Sequence, residues 1–367
     1  MAVSILPLVR LSLTGRVGWR LAERLRARFG GLDAVFRASE AALREIRGVG
    51  PVLARKILDA SLEDRAKREI DLARKSGWEI DTPGIAPYPA LLEETYDPPL
   101  ILCRKGELHA DDARALAIVG ARRATPYGKR QAERFAAELA DAGWTIVSGL
   151  ARGIDTAAHA GCLKGGGRTI AVLGTGLDVP YPAENAGLLQ EIASRGAVLT
   201  EFPRGTPPLR ENFPRRNRVI SGLARGVIVV EASERSGALI TARWAIEENR
   251  EVFALPGPVE TGRSIGCHRL IREGAHLVER PADVLEAFGD PSGTNLDRPD
   301  PARQESGVDH AILELLRDGE MTIDDLGEAA DLRPSELAIR LLRLEIAGVV
   351  RTYPGERIAI SAGGAVT

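Results

Sequence analysis

Arginines and phenylalanines interleaved in one short stretch are the first residues in this sequence whose types suggest chemistry. Thr200–Arg225 reads TEFPRGTPPLRENFPRRNRVISGLAR. It carries Arg204, Arg210, Arg215, Arg216 and Arg218, opposed by Glu201 and Glu211, with Phe202 and Phe213 between them in a chain that is only 4% aromatic. Guanidinium groups take phosphate oxygens and an aromatic face takes a base, which is what a single strand of nucleic acid asks of a protein. A solvated basic loop capping a sheet fits the same composition. The elements around the stretch have to decide between the two.

Other candidate chemistry is weaker. Asp155 and His159 stand i, i+4 and could form an acid/base pair, but a helix starts at that aspartate, where capping is the simpler role. His109, His268, His276 and His310 are scattered and show no metal-ligand spacing. Cys103, Cys162 and Cys267 are odd in number and far apart, so neither a disulfide framework nor a zinc site is indicated, which favours a reducing cytoplasm. No G-x-x-x-x-G-K-[ST] segment occurs, and Gly174-Thr175-Gly176 lacks the third glycine of a dinucleotide fingerprint. The expectation is a protein with no catalytic residues, no metal and no cofactor.

The chain is 367 residues long, 44% hydrophobic and 27% charged, enough for two or three domains with their own cores. No apolar run approaches the ~20 residues of a membrane span, and the N-terminus reads as a folded helix rather than a signal peptide. From Arg114, continuous apolar runs (ALAIVG, TIVSG, TIAVLG, AVLTEF, VIVVEA, VFALPG) alternate with amphipathic helices. That pattern argues for a parallel sheet covered on both faces. Ligands then bind outside the carboxyl ends of the strands. The loops expected there carry Gly120 and Arg122, then Ser148, Gly149 and Arg152, then Gly174–Asp178. The arginine stretch follows, and Ser236 and Gly237 open the next helix. Together they predict a phosphate-binding rim.

Residues 1–80 read as short helices with 16 Lys/Arg against 10 Asp/Glu, a net charge of +6. Gly48-Val49-Gly50-Pro51 lies between two of them, and Pro51 suits the first turn of a helix whose free amides could meet a phosphate. Gly48, Gly50 and Lys56 are therefore candidate secondary DNA contacts, with a looser copy of the hairpin at Thr14–Gly18. A helix turn serving only packing fits as well. Residues 289–306 are polar and rich in Pro and Gly, as a flexible linker is. Residues 307–367 predict three helices and a hairpin turning at Pro354-Gly355, a winged helix. From Ser306 on, 6 Lys/Arg face 11 Asp/Glu. That negative charge repels phosphates and favours a protein contact over a DNA contact.

The segments VGARRATPYG, SGLARGIDTAAH, AVLGTGLDVPYPAEN, TEFPRGTPP, NFPRRNRVISGLA and SGALITARWA together resemble the DNA-processing protein A (DprA/Smf) family, densely from about Pro87 to Glu279. The resemblance implies an α/β architecture. A Rossmann-like, mostly parallel sheet core (81–288) follows an all-α helix-hairpin-helix or SAM-like domain (1–80), and a winged helix (307–367) follows the linker. It further implies a non-catalytic protein that binds single-stranded DNA, protects incoming strands and loads the RecA recombinase during natural transformation, with repair as a further setting. Family members dimerise through the Rossmann-like domain. Carried across by position, the DNA pocket would use Gly120, Arg122, Ser148, Gly149, Arg152, Arg210, Asn212, Phe213, Arg215, Arg216, Asn217, Arg218, Ser236 and Gly237, with Phe213 stacking on a base. The homodimer and RecA surfaces fall within Arg263–Val278, at Leu270, Ile271, His276 and Val278. His268 stands where the family pattern S-x-G-x-N-R-L-I has Asn. Double-stranded DNA is a further partner expected of a terminal domain, and no membrane is expected.

An enzyme of the nucleotide phosphoribohydrolase type is the alternative on a similar sheet. Its P-G-G-x-G-T-x-x-E segment is met here by SERSGALITARWAIEEN, which lacks the paired glycines.

Overall fold

A computed structural model describes residues 5–290 and 307–360, apart from residues 318, 331, 347–348 and 354–356. It divides into two units, Met1–Leu296 and Asp297–Thr367.

The first unit is built on nine strands: β1 (Glu79–Asp81), β2 (Leu102–Gly106), β3 (Ala115–Val119), β4 (Thr145–Ser148), β5 (Thr169–Val172), β6 (Ala197–Thr200), β7 (Gly226–Val229), β8 (Glu251–Ala254) and β9 (His276–Leu277). Their order is β1-β2-β6-β5-β4-β3-β7-β8-β9. Strands β3 to β9 pair in parallel, and β1 and β2 close one edge antiparallel. The central strands are buried along their whole length, so they read as unbroken apolar runs rather than alternating ones. Their side chains still alternate between two cores. Ala115, Ala117, Val227 and Val229 face one helical layer, while Leu116, Ile118, Ile228 and Val230 face the other.

The chain runs outward from β3 through β4 and β5 to β6, then returns to place β7 on the other side of β3. That reversal leaves a crevice outside the carboxyl ends of β3 and β7, where crossovers leave in opposite directions.

Six helices precede the sheet: α1 (Leu6–Ser12), α2 (Trp19–Phe29), α3 (Leu32–Val35), α4 (Glu40–Arg44), α5 (Pro51–Leu58) and α6 (Ser61–Lys75). Their core takes in Leu100 and Ile101 and is flanked by Ile80 and Cys103, so it continues into the antiparallel edge of the sheet. Of the expected linker, Gly289 and Asp290 pack with the first unit, because the Asp290 carboxylate accepts from Trp144 Nε1 at 2.9 Å and pairs with Arg114. Residues 291–306 lie outside the described residues.

The second unit has helices Gly307–Arg317, Ile323–Ala329 and Pro334–Ile346, and a small sheet of Met321–Thr322, Arg357–Ile360 and Val350–Tyr353. Its core joins Ile312, Leu316, Leu326, Leu337, Leu341, Val350 and Ile358. This is the winged helix expected from the sequence. The turn at Pro354-Gly355 lies outside the described residues.

Candidate nucleic-acid interface

A cavity of about 770 Å³ opens at the crevice between β3 and β7. Gly120, Ala121 and Arg122 reach it from the end of β3, Glu231 and Ser233 from the end of β7, Ser236 and Gly237 from the turn before the next helix, and Thr241 from that helix. Arg210, Phe213, Arg216 and Asn217 form the facing wall.

That wall corrects the sequence reading. Asn212–Gly222 is not a loop but an eleven-residue helix, here α11 after α7 (Ala90–Glu93), α8 (Pro126–Asp141), α9 (Ile154–Lys164) and α10 (Ala186–Arg195). The buried face of α11 includes Asn212, Arg216, Asn217 and Ser221, so it lacks the apolar period that marks a helix in sequence.

The arginines divide by partner. The Arg216 side chain is buried beneath the cavity, donating from Nη1 to the Gly149 carbonyl at 2.7 Å and to the Val172 carbonyl. Arg215 and Arg218 both donate to Oε2 of the buried Glu201, at 3.0 and 2.6 Å, and Arg218 also reaches the Asp97 carbonyl. Arg152 forms a two-pronged pair with Glu184 at 2.5 and 2.6 Å. Arg204 lies over the Trp78 ring and against Asp178, at the joint with the helical domain. Arg122 and Arg210 are exposed, line the cavity and have no carboxylate in ion-pair range among the described residues. The expected continuous rim of arginines is therefore reduced to a few free ones.

Phe213 is half-buried, with the Arg122 guanidinium 4.9 Å from its ring centre and Tyr181 tilted against it at 5.5 Å. A side chain at Gly174 would meet the Phe213 ring at 2.9 Å, so glycine there lets the ring lie against the strand-end loop. Tyr181 was not anticipated. Its only signal in the sequence was the Tyr181-Pro182 step in the third loop.

Ser148 and Gly149 do not line the cavity as expected. The Ser148 hydroxyl donates to the Ile118 carbonyl at 2.6 Å between strands, and the Gly149 amide donates to Asp155 Oδ2 at 3.1 Å. A Cβ on Gly149 would strike the Arg216 guanidinium at 2.6 Å, so this glycine is a packing requirement. Asn212 is likewise buried away from the cavity, with its Nδ2 unpartnered among the described residues. Asn217 lines the cavity and donates to the Gly237 carbonyl at 3.2 Å, tying α11 to the next helix, α12 (Ala238–Glu247).

Asp155 lies in the first turn of α9 but takes the amides of Gly149 and Ala151 from the preceding loop, rather than capping its own helix. Burial pushes its carboxyl up to about 6, against the pull of Arg216 and those amides. Burial also brings Arg216 down to about 10, with Asp155 pulling it back up and Arg122 pushing the same way as burial. His159 is not paired with Asp155. It is fully buried, with Nδ1 2.7 Å from the Thr169 hydroxyl, and burial lowers it to about 3.

At the N-terminal hairpins, Gly48 takes a positive φ of 99° and Gly50 precedes the first turn of α5, as the motif requires. Lys56 sits in the last turn of that helix, away from the free amides. Arg24 lies nearer, donating to the Arg47 carbonyl at 2.9 Å. The earlier copy is occupied: the Asp97 carboxylate lies 2.5 Å from where a Gly18 Cβ would be, at the start of α2.

The expected surface within Arg263–Val278 also needs correction. Leu270 and Val278 are core residues at 5% and 1% exposure, in the cores on opposite faces of the sheet, and Ile271 is partly buried against the core that holds Leu270. Only His276 is exposed, paired with Glu251 at 3.0 Å, and its neighbour Leu277 is half exposed on the last strand of the sheet. His268, on α13 (Ile265–Arg272), accepts from the Gly257 amide at 3.3 Å, which is what this residue does in place of the family Asn.

These features define a Rossmann-like α/β protein with an arginine- and aromatic-walled pocket at its topological switch, preceded by helix-hairpin-helix elements and followed by a winged helix. Family models match accordingly: DNA recombination-mediator protein A over residues 80–289, the DprA winged helix domain over 297–356 and a helix-hairpin-helix motif over 11–70. The chain belongs to the DprA family. A Mycobacterium tuberculosis relative is 38% identical over 362 residues, covering 94% of this chain and 93% of its own length. The crystal structure of DNA processing protein A from Streptococcus pneumoniae is 37% identical, with a TM-score of 0.68 over 78% of this chain and 98% of that one. A structure of DNA processing protein A from Helicobacter pylori, whose subject is its single-stranded DNA binding mode, is 31% identical, with a TM-score of 0.52 over 57% of this chain and 95% of that one. No described helix is long and apolar enough to cross a membrane.

Proposed function

We propose that this protein binds single-stranded DNA in the switch-point cavity and acts as a non-catalytic recombination mediator. In that role it protects incoming strands and hands them to the RecA recombinase during natural transformation, within the cytoplasm and with repair as a further setting. The observation that carries the reading is the pairing of Arg122 with the half-buried Phe213 ring inside an open cavity. A base stacking on Phe213 would displace the guanidinium from the ring toward the strand's phosphates, so one movement serves both parts of a nucleotide. The ssDNA-binding relative from Helicobacter pylori supports the same reading by likeness.

Fluorescence anisotropy with a labelled oligonucleotide tests it. Phe213→Ala is expected to cost about 1–3 kcal/mol of binding, the usual size of one lost stack. Arg122→Ala is expected to weaken binding and make it less sensitive to salt, since one neutralised phosphate is lost. Unchanged affinity in both folded variants would remove the site. The free edge of β9, with His276 and the exposed Leu277, is where we place the homodimer contact, and RecA is assigned to the same side.

A further inference from the structure

Two carboxylates in the wall of a pocket for a polyanion call for a reason. Glu231 and Asp155 both line the cavity, at 4% and 6% exposure. Each is held by one oxygen only. Glu231 Oε2 accepts from the Thr125 amide at 2.9 Å and from its hydroxyl at 3.4 Å. Asp155 Oδ2 accepts from the Gly149 and Ala151 amides at 3.1 and 3.4 Å. The second oxygens, Glu231 Oε1 and Asp155 Oδ1, have no partner among the described residues and are not sealed from solvent.

An ionised carboxylate accepts hydrogen bonds and cannot donate them, and burial removes much of the water that would otherwise supply donors. Protein cations do not fill the gap. Neither acid has a cation in ion-pair range among the described residues, and Arg216, whose charge acts on Asp155, spends its Nη1 on the Gly149 and Val172 carbonyls. Phosphates bring only acceptors, and a deoxyribose inside a strand has no free hydroxyl. The base is the part of a bound nucleotide that offers donors, and unstacked bases are read on their Watson–Crick edges. At the 4-position cytosine presents an amino group where thymine presents a carbonyl oxygen, and a carboxylate attracts the first and repels the second; thymine's one donor, N3–H, lies between two carbonyl oxygens that repel the same carboxylate.

We propose that Glu231 and Asp155 give the pocket a base preference, for nucleobases carrying an exocyclic amino group, with cytosine held over thymine as the size-matched case. This rests on the reading that the cavity binds single-stranded DNA.

The test uses the full-length protein with labelled oligo(dC) and oligo(dT) of equal length, ~20 nucleotides so that a usual site is spanned, at mildly alkaline pH and fixed salt. The wild type is expected to hold oligo(dC) about tenfold more tightly, the effect of one hydrogen bond to a charged acceptor. Glu231→Gln places an amide where the free acceptor was, so the ratio should fall toward one, chiefly because oligo(dT) binds better. Asp155→Asn gives a second, independent reading should the first variant fold poorly. Equal wild-type affinities would overturn the proposal and leave the acids holding water alone. So would a ratio that survives in both variants. Binding of both oligonucleotides that Arg122→Ala weakens leaves the DNA reading standing whatever the ratio. Retention of neither by the wild type removes that reading and this inference with it.

Discussion

Arg122 and Arg216 are the same side chain put to opposite uses, and substitution separates them. Arg122 touches the Phe213 ring and solvent, so Arg122→Ala should leave the melting temperature within about a degree or two, as exposed substitutions usually do. Arg216→Ala strips two buried carbonyls of their donor and leaves Asp155 without its nearest cation. It should destabilise the fold by about 3–5 kcal/mol in a urea titration, the usual result of breaking a buried charged network from one side. His159 gives a pH signature. The Thr169 hydroxyl donates to the Ile146 carbonyl at 2.7 Å, so it accepts from His159 Nδ1–H, and Nε2 is left without a partner among the described residues. Held at about 3 when folded, this imidazole stays neutral while its unfolded counterpart protonates below about 6.5. Its contribution is present above that pH and is lost as pH falls toward 3. In His159→Asn, which keeps a donor for Thr169, the acid-side loss of stability should be shallower; equal slopes in both proteins would contradict the assignment. The sequence revealed that arginines were concentrated here. It could not reveal which were free: Glu201 lies in the stretch itself, but nothing in the spacing says that it takes Arg215 and Arg218, and Glu184 and the carbonyls that claim other arginines are brought up by the fold from distant segments.

At the scale of elements, the sheet was legible and α11 was not, for one reason. Buried parallel strands advertise themselves as apolar runs, whereas α11 buries Asn212, Arg216 and Asn217 against the strand-end loops. The loop before α9 was read as glycine-rich and phosphate-ready, and its glycines turn out to serve contact. Gly153 has φ 83°, and a Cβ there would lie 2.2 Å from the Ala121 carbonyl oxygen. Gly153→Ala should therefore separate the Gly120–Arg122 loop from α9, costing more than the ~1 kcal/mol of an ordinary left-handed strain and weakening DNA binding together with thermal stability. A protein that melts like the wild type would show that the two loops part without penalty. The first N-terminal hairpin offers the converse case. Asp97 sits on the start of α2, and Arg218 donates to its carbonyl at 2.6 Å while the Arg20 guanidinium lies 4.7 Å from the centre of the Tyr96 ring. The amides that the sequence made a phosphate seat are a joint between the helical domain and the sheet. Asp97→Ala should speed hydrogen exchange across Trp19–Arg24 while leaving exchange in the central strands unchanged.

Over the whole molecule, charge is separated along the chain, with the basic helices at one end and the acidic winged helix at the other. The exposed face of its last helix carries Ile339 and Leu342, at 59% and 58% exposure, where a helix that reads duplex DNA would present cations. The cavity is built entirely from residues of the first unit. At physiological salt, where exposed charge is screened over ~8 Å, removal of residues 297–367 should then leave single-stranded DNA affinity within about twofold of the full chain, since no residue of the cavity is lost. At low salt the shortened protein should bind more tightly, because a net negative domain no longer repels the strand. The slope of affinity against salt should therefore be somewhat steeper and never shallower, since every phosphate contact of the cavity is kept. Anisotropy titrations of both proteins across a salt series check all three expectations. A truncated protein that loses affinity and also shows a shallower slope would place phosphate contacts on the winged helix, and the protein-contact reading of that domain would then fall.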